Sequence, residues 1–146
     1  MRLATFLPPN GADAPLAGEV RGDEVVAFGA GDTVLSRLAG GDRTPGRGEV
    51  FPLADVTLLA PVPRPRAIFG IGLNYAAHAQ EGGRDAPEAP IVFMKTPASA
   101  APPNAPVRCP AVVRRLDYEG ELAVVMGSGG EIAGYAVADD VSARDL

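Results

Sequence analysis

The stretch Leu116-Asp117-Tyr118-Glu119-Gly120-Glu121-Leu122-Ala123-Val124-Val125-Met126 decides how the chain reads. Apolar residues fill its second half, while its first half sets an acid at every other position. Side chains alternate faces along a strand, so Asp117, Glu119 and Glu121 point the same way. A second acidic run, Asp139-Asp140-Val141-Ser142-Ala143-Arg144-Asp145, overlaps the end of another apolar stretch, residues 132–141. Between the two lies Gly127-Ser128-Gly129-Gly130, a link suited to a hairpin. A turn centred on Ser128 and Gly129 puts Asp140 opposite Asp117 and diagonal to Glu119, about 7–8 Å away at Cα. A slip of one residue would send Asp140 to the other face. Carboxylates gathered in this way repel and resist desolvation unless a cation neutralises them. A hard divalent cation with oxygen ligands meets that need. The plain alternative is a solvated acidic face. Against it, the same face continues as Ala123, Val125, Ala136 and Ala138, all apolar.

Composition bounds the rest. A hydrophobic fraction of 47% excludes a disordered chain, and 18 Gly with 15 Pro among 146 residues imply many turns and few long helices. The net charge of −5, with no Lys/Arg-rich segment, argues against a nucleic-acid partner. The apolar run at the start is too short for a signal peptide, and no segment is long enough to span a bilayer, so a soluble, cytoplasmic protein is expected. Cys109 is the only cysteine, which excludes an internal disulfide. Between Arg108 and Pro110 it reads as a small apolar residue.

Short strands are expected at residues 2–7, 18–28 (around a turn at Arg21-Gly22-Asp23), 56–59, 67–71 and 90–95, and across 116–126 and 132–141. The strand at 67–71 reads as buried. Asp32 is the expected cap of a helix over 33–38 that ends at Gly40-Gly41. A second helix runs from about Tyr75 to Glu81 and stops at Gly82-Gly83. Three prolines in Pro61-Val62-Pro63-Arg64-Pro65-Arg66 make a stiff hinge between a small β-rich unit and the main domain.

His78 is the only histidine, and Glu81 follows one helical turn later. A carboxylate that orients an imidazole makes a general base near neutral pH. A local ion pair at a helix end is the alternative. Gly70 and Gly72 suggest a dinucleotide loop, but Tyr75 stands where its third glycine belongs, which rejects that reading. Lys95, the only lysine, closes a strand where it could bind an acidic substrate or simply face solvent. Arg144, four residues beyond Asp140, is suited to an ion pair that fixes the loop and orients the acids.

Four segments in this order, Gly-Leu-Asn-Tyr-Ala-Ala-His-Ala-Gln-Glu (72–81), Pro-Ile-Val-Phe-Met-Lys (90–95), 116–127 and 134–146, resemble the fumarylacetoacetate hydrolase superfamily. The first 65 residues resemble the small leading domain of its bacterial members. The resemblance implies an α+β, mostly β fold, with a β-rich domain over 1–65 and the first part of a mixed β-roll over 66–146. It implies a dimer that uses Mg²⁺ or Mn²⁺ to cleave or rearrange small diketo acids. It places the metal on Glu119, Glu121 and Asp140, and the base dyad on His78 and Glu81, with Asp117 and Asp139 in support. Tyr75 and Lys95 would contact substrate. Hydrolysis of a C–C bond in a fumarylacetoacetate- or acylpyruvate-like acid is the leading expectation. The alternatives are isomerisation or decarboxylation on the same scaffold, as with a 2-hydroxyhepta-2,4-diene-1,7-dioate. A third is a non-catalytic, shortened relative that acts as an assembly module. That rival arises because family members carry about a dozen more residues between the two acidic strands, and Leu146 falls about halfway through their usual catalytic domain.

Overall fold

A computed structural model describes the chain except residues 10–13, 82, 84 and 86 and the side chains at 78 and 81. Strands dominate, with few helical residues, so the expected α+β, mostly β class holds. The described residues form two compact units: Met1–Pro61 with Pro102–Leu146, and Val62–Ala101. Among them no helix is long and apolar enough to cross a membrane.

The first unit is built on a five-stranded antiparallel sheet. Its strands are β1 (Arg2–Leu7), β2 (Leu16–Arg21), β3 (Glu24–Ala27), β4 (Val50–Pro52) and β5 (Thr57–Leu59), in the order β4-β3-β2-β1-β5. Gly22, at φ 57°, turns β2 into β3, a left-handed conformation that glycine adopts without steric cost. The sheet buries Phe6, Val25, Ala27 and Phe51, with Phe6 and Phe51 in edge-to-face contact at 5.7 Å between centroids. Phe6 and Val25 are fully enclosed, each stabilising the fold by about 1.5–3 kcal/mol. β4 is absent from the sequence expectation. As an edge strand it tolerates Pro52, which has no N–H for a ladder.

Helix α1 (Val34–Ala39) is capped by Thr33 and not, as expected, by Asp32. The Thr33 hydroxyl accepts the Ser36 N–H at 2.9 Å, and the Ser36 hydroxyl accepts the Thr33 N–H at 2.9 Å. Asp32 instead accepts from the buried Arg37 guanidinium at 3.2 Å. That guanidinium also reaches Asp42 at 3.0 Å and lies over the Phe28 ring at 3.8 Å.

The rest of this unit carries the acids. β9 (Gly120–Met126) and β10 (Ile132–Asp139) form an antiparallel ribbon, and β8 (Leu116–Asp117) pairs with β11 (Ser142–Ala143) just beyond it. The first of the two long strands expected from the sequence is therefore broken, between Asp117 and Gly120. The second ends at Asp139, two residues early, and is followed by the short β11, which was not expected. At the break the Asp139 carboxylate accepts the Glu119 N–H at 2.8 Å, so a side chain replaces a ladder partner. The ribbon is not enclosed on both faces. Leu122, Val124, Met126, Tyr135 and Val137 are exposed on one side. On the other, Leu38 of α1 reaches Gly134, where an added Cβ would lie 3.5 Å from Leu38 Cδ2.

The second unit pairs β6 (Ile68–Gly72) with β7 (Ile91–Lys95) and holds α2 (Ala76–Glu81). The strand expected to be buried here is largely exposed, with Phe69 at 63%. Gly70 lies under the Phe93 ring, where a Cβ would come within 2.2 Å of Phe93 Cζ. Close packing, and no phosphate loop, accounts for that glycine. Gly82, half of the expected helix stop, lies outside the described residues; Gly83 has φ 64°, as glycines past a helix end often do. Cys109 is exposed and not packed as a small apolar residue. Its thiol lies between the Pro110 and Val113 carbonyls.

Candidate metal centre

The position of Asp140 depends on two irregularities in the ribbon. The loop is Ser128-Gly129-Gly130, closed by the Gly127 N–H to Glu131 carbonyl bond at 2.7 Å, with Gly130 at φ 83°. A three-residue loop ending in a left-handed glycine replaces the expected two-residue turn. It moves the pairing by one residue. A bulge between Ile132 and Gly134 moves it by one more. The register then runs Gly134↔Val125, Ala136↔Ala123, Ala138↔Glu121 and Asp139↔Gly120.

Asp140 consequently lies across from Glu119, not from Asp117 as expected; its N–H donates to the Glu119 carbonyl at 2.9 Å. Ser142 takes the place opposite Asp117. Two steps of one residue restore the original parity, so Asp117, Glu119, Glu121 and Asp140 still share a face. Glu121 stands diagonal to Asp140, about 7–8 Å away at Cα. The bulged residue, Ala133, is buried, and its carbonyl accepts from Arg43 Nη2 at 2.9 Å. An arginine from the loop after α1 thus grips the point where the register of the acids is set.

Arg144 organises the side chains. Its Nε donates to Asp117 Oδ2 at 3.0 Å and its Nη2 to Glu119 Oε1. These two acceptors, Glu119 first, raise its pKa above the ordinary arginine value, so it stays charged. The Ser142 hydroxyl lies 2.9 Å from Glu119 Oε2 and 3.0 Å from the Asp140 carbonyl. Ser142 thereby joins the candidate site, and sequence reasoning did not single it out. Its signal was its position two residues past Asp140, on the same face of an extended run. Asp145 accepts the Arg114 and Arg115 N–H groups at 2.8 and 3.2 Å, which ties the segment after β11 to the segment before β8. Asp140 is 9% exposed.

The donor set suits a hard cation by its chemistry: three carboxylates whose positions share one face of the ribbon. Among the described residues, however, no three acid, imidazole or thiol groups converge closely enough to hold an ion as the side chains stand. Glu119 is drawn toward Arg144 instead. Each of its oxygens has more than one lone pair, so it can still accept another partner.

The remaining candidates belong to the second unit. His78 and Glu81 occupy the third and sixth positions of α2; their side chains lie outside the described part of the structure. Tyr75 is 43% exposed, and its carbonyl accepts the Ala79 N–H at 3.1 Å. Lys95 ends β7, half-buried, opposite Ile68. Just before Tyr75, Leu73 has φ 52°, a left-handed conformation rare for a branched residue and often found near functional sites. Residues 71–74 and 87–90 line an open concavity of about 310 Å³.

Residues 67–146 match the model for the fumarylacetoacetate (FAA) hydrolase C-terminal domain. The chain is 41% identical over 106 residues to oxaloacetate tautomerase Fahd2a, mitochondrial, of Rattus norvegicus, across 66% of this chain and 34% of that protein. It superposes on 5-carboxymethyl-2-hydroxymuconate delta-isomerase from Mycobacterium smegmatis with TM-score 0.73 and 32% identity, covering 99% of this chain and 56% of that one. Maleylpyruvate hydrolase from Sphingobium sp. SYK-6, in complex with manganese(II) and pyruvate, shares the fold at TM-score 0.70 and 24% identity, covering 100% and 60%. The chain spans 32–40% of the length of the curated relatives it matches. From the family match over residues 67–146, together with the order of its motifs, the chain belongs to the fumarylacetoacetate hydrolase family.

Proposed function

We propose that the chain provides the metal carboxylates and the proton-transfer pair of an enzyme that acts on small 2-oxo acids and their enols. Residues 1–65 form its leading domain and residues 66–146 the first portion of its catalytic domain. The observation that carries the reading is the register of the acidic ribbon, which returns Asp140 to the face of Glu119 and Glu121 after two irregularities. An acidic face without a ligand has no need of that parity.

Glu119, Glu121 and Asp140 would hold Mg²⁺ or Mn²⁺, whose Lewis acidity polarises the 2-oxo group of the substrate. His78, oriented by Glu81, takes a proton from the enol hydroxyl or from the carbon beside the oxo group, and delivers it to the other. Lys95 binds a substrate carboxylate, and Tyr75 borders the substrate. Tautomerisation is the form favoured here, because the relative at 41% identity is an oxaloacetate tautomerase and the neighbour at 32% is an isomerase. Cleavage of a diketo acid is the second reading. There His78 would take a proton from water as its oxygen adds to the distal carbonyl. The C–C bond then breaks, its electron pair leaves as the enolate of the 2-oxo acid, and His78 returns the proton to that enolate carbon. Pairing with a second copy, as the resemblance implies, belongs to the same proposal.

The test measures decay of enol absorbance in oxaloacetate with Mn²⁺ present, alongside calorimetric titration of Mn²⁺. Glu119→Gln with Glu121→Gln should abolish both binding and turnover. His78→Ala should keep the metal and lose turnover. Metal binding that survives the double substitution would place the ion elsewhere, and unchanged turnover in His78→Ala would remove the base assignment.

A further inference from the structure

Glu119 is asked to serve two cations. Arg144 holds one of its oxygens and Ser142 contacts the other. Arg144 is itself fixed in place: its backbone N–H donates to the Arg115 carbonyl at 2.8 Å, immediately after the two-residue ladder of β8 and β11. The guanidinium is 32% exposed and Glu119 21%, so solvent screens this pair only in part. A dication on the same carboxylate would meet that permanent positive charge at short range.

We propose that Arg144 is an internal competitor for the divalent cation, which it must yield Glu119 to admit. Arg144 has somewhere to go. Its Nε already bonds to Asp117 at 3.0 Å, and Asp117, opposite Ser142 in the ladder, is not among the three assigned ligands. The cation takes Glu119, and the guanidinium withdraws onto Asp117. Asp117 thereby gains a role as the resting place of the displaced charge. This inference rests on the metal reading above and adds a sign to it. An arginine that only orients the acids would strengthen cation binding, whereas a competitor weakens it.

The experiment titrates Mn²⁺ calorimetrically into the chain and into Arg144→Gln. Competition is expected to give the variant a Kd lower by about fivefold, the scale of a partly exposed ion pair. A Kd unchanged or raised in the variant, with wild-type binding intact, overturns the competition and leaves the metal reading standing. No binding in either protein overturns the metal reading and the competition with it. A second measurement needs no altered protein for its titration. The Arg144 Nε–H resonance, assigned by its loss in Arg144→Gln, is followed in the wild-type chain as Mg²⁺ is added. It should shift in step with occupancy; a resonance that stays fixed while Mg²⁺ binds overturns the proposal.

Discussion

Replacing Arg43 with alanine should loosen the acidic ribbon from a distance. Arg43 Nη2 donates to the carbonyl of Ala133, and Ala133 is 7% exposed. Stripping a buried carbonyl of its donor costs about 1–3 kcal/mol. Arg43 itself is exposed, so water recovers part of that, and about 1 kcal/mol remains as the expected loss. In a chain of this length that lowers the melting temperature by about 4 °C. The more telling effect is local. Ala133 is the bulged residue, and beyond it every pair down to Asp139↔Gly120 depends on the bulge keeping its place. Hydrogen exchange of the Asp140 amide, which bonds to the Glu119 carbonyl, should accelerate more than that of Val25 in the five-stranded sheet. Urea titration reads the global loss and exchange mass spectrometry the local one. An unchanged unfolding midpoint together with unchanged protection at Asp140 would refute the idea that Arg43 pins the register.

In the five-stranded sheet, Gly18→Ala should destabilise by about 1–3 kcal/mol, because the new Cβ would lie 2.8 Å from both Val25 Cγ2 and the Val26 carbonyl. Thermal melts of that variant check the packing of β2 on β3. The Glu19 carboxylate is held below the ordinary glutamate range, chiefly by its hydrogen bond from Arg21 and then by the Gly46 N–H. A depressed folded pKa contributes stability that is present above the unfolded value and lost as the pH falls through the folded one. Glu19→Gln should therefore flatten the acid limb of a stability–pH curve and leave the neutral-to-basic limb in shape; an unaltered acid limb would argue against this pair. His78→Ala should leave the Mn²⁺ isotherm unchanged, since no proposed ligand lies on α2, and a loss of binding would move the histidine into the metal centre.

Much of the architecture was legible because apolar residues crowd where strands form and glycines fall where the chain turns. The strands at 2–7 and 91–95 and both helices come within a residue or two of their expected limits. What was not legible came from side chains acting on the backbone. Nothing in Leu116 to Met126 says that Asp139, twenty residues from Glu119, will take the Glu119 N–H and split the strand. Propensity points to Asp32 as a helix cap, but its carboxylate is claimed by Arg37, and Thr33 takes over. Val50–Pro52 joins the sheet only because its place is at the edge, a fact about order and not about composition. Enclosure was misjudged in the second unit, where an apolar strand reads alike whether or not a layer covers it.

The acids show why a wrong detail can leave a correct inference standing. The expected two-residue turn would have put Asp140 opposite Asp117, and the actual loop is one residue longer. Alone, that extra residue would have turned Asp140 away from Glu119 and Glu121 and ended the case for a shared cation. The bulge at Ala133 adds a second residue and turns it back. Since face depends only on whether the total shift is odd or even, the loop and the bulge must be read together. The bulge in turn is held by Arg43, outside both strands. The shared face of the proposed metal ligands thus depends on a loop of the leading sheet, through the Arg43 to Ala133 bond, as well as on the two strands that carry the acids.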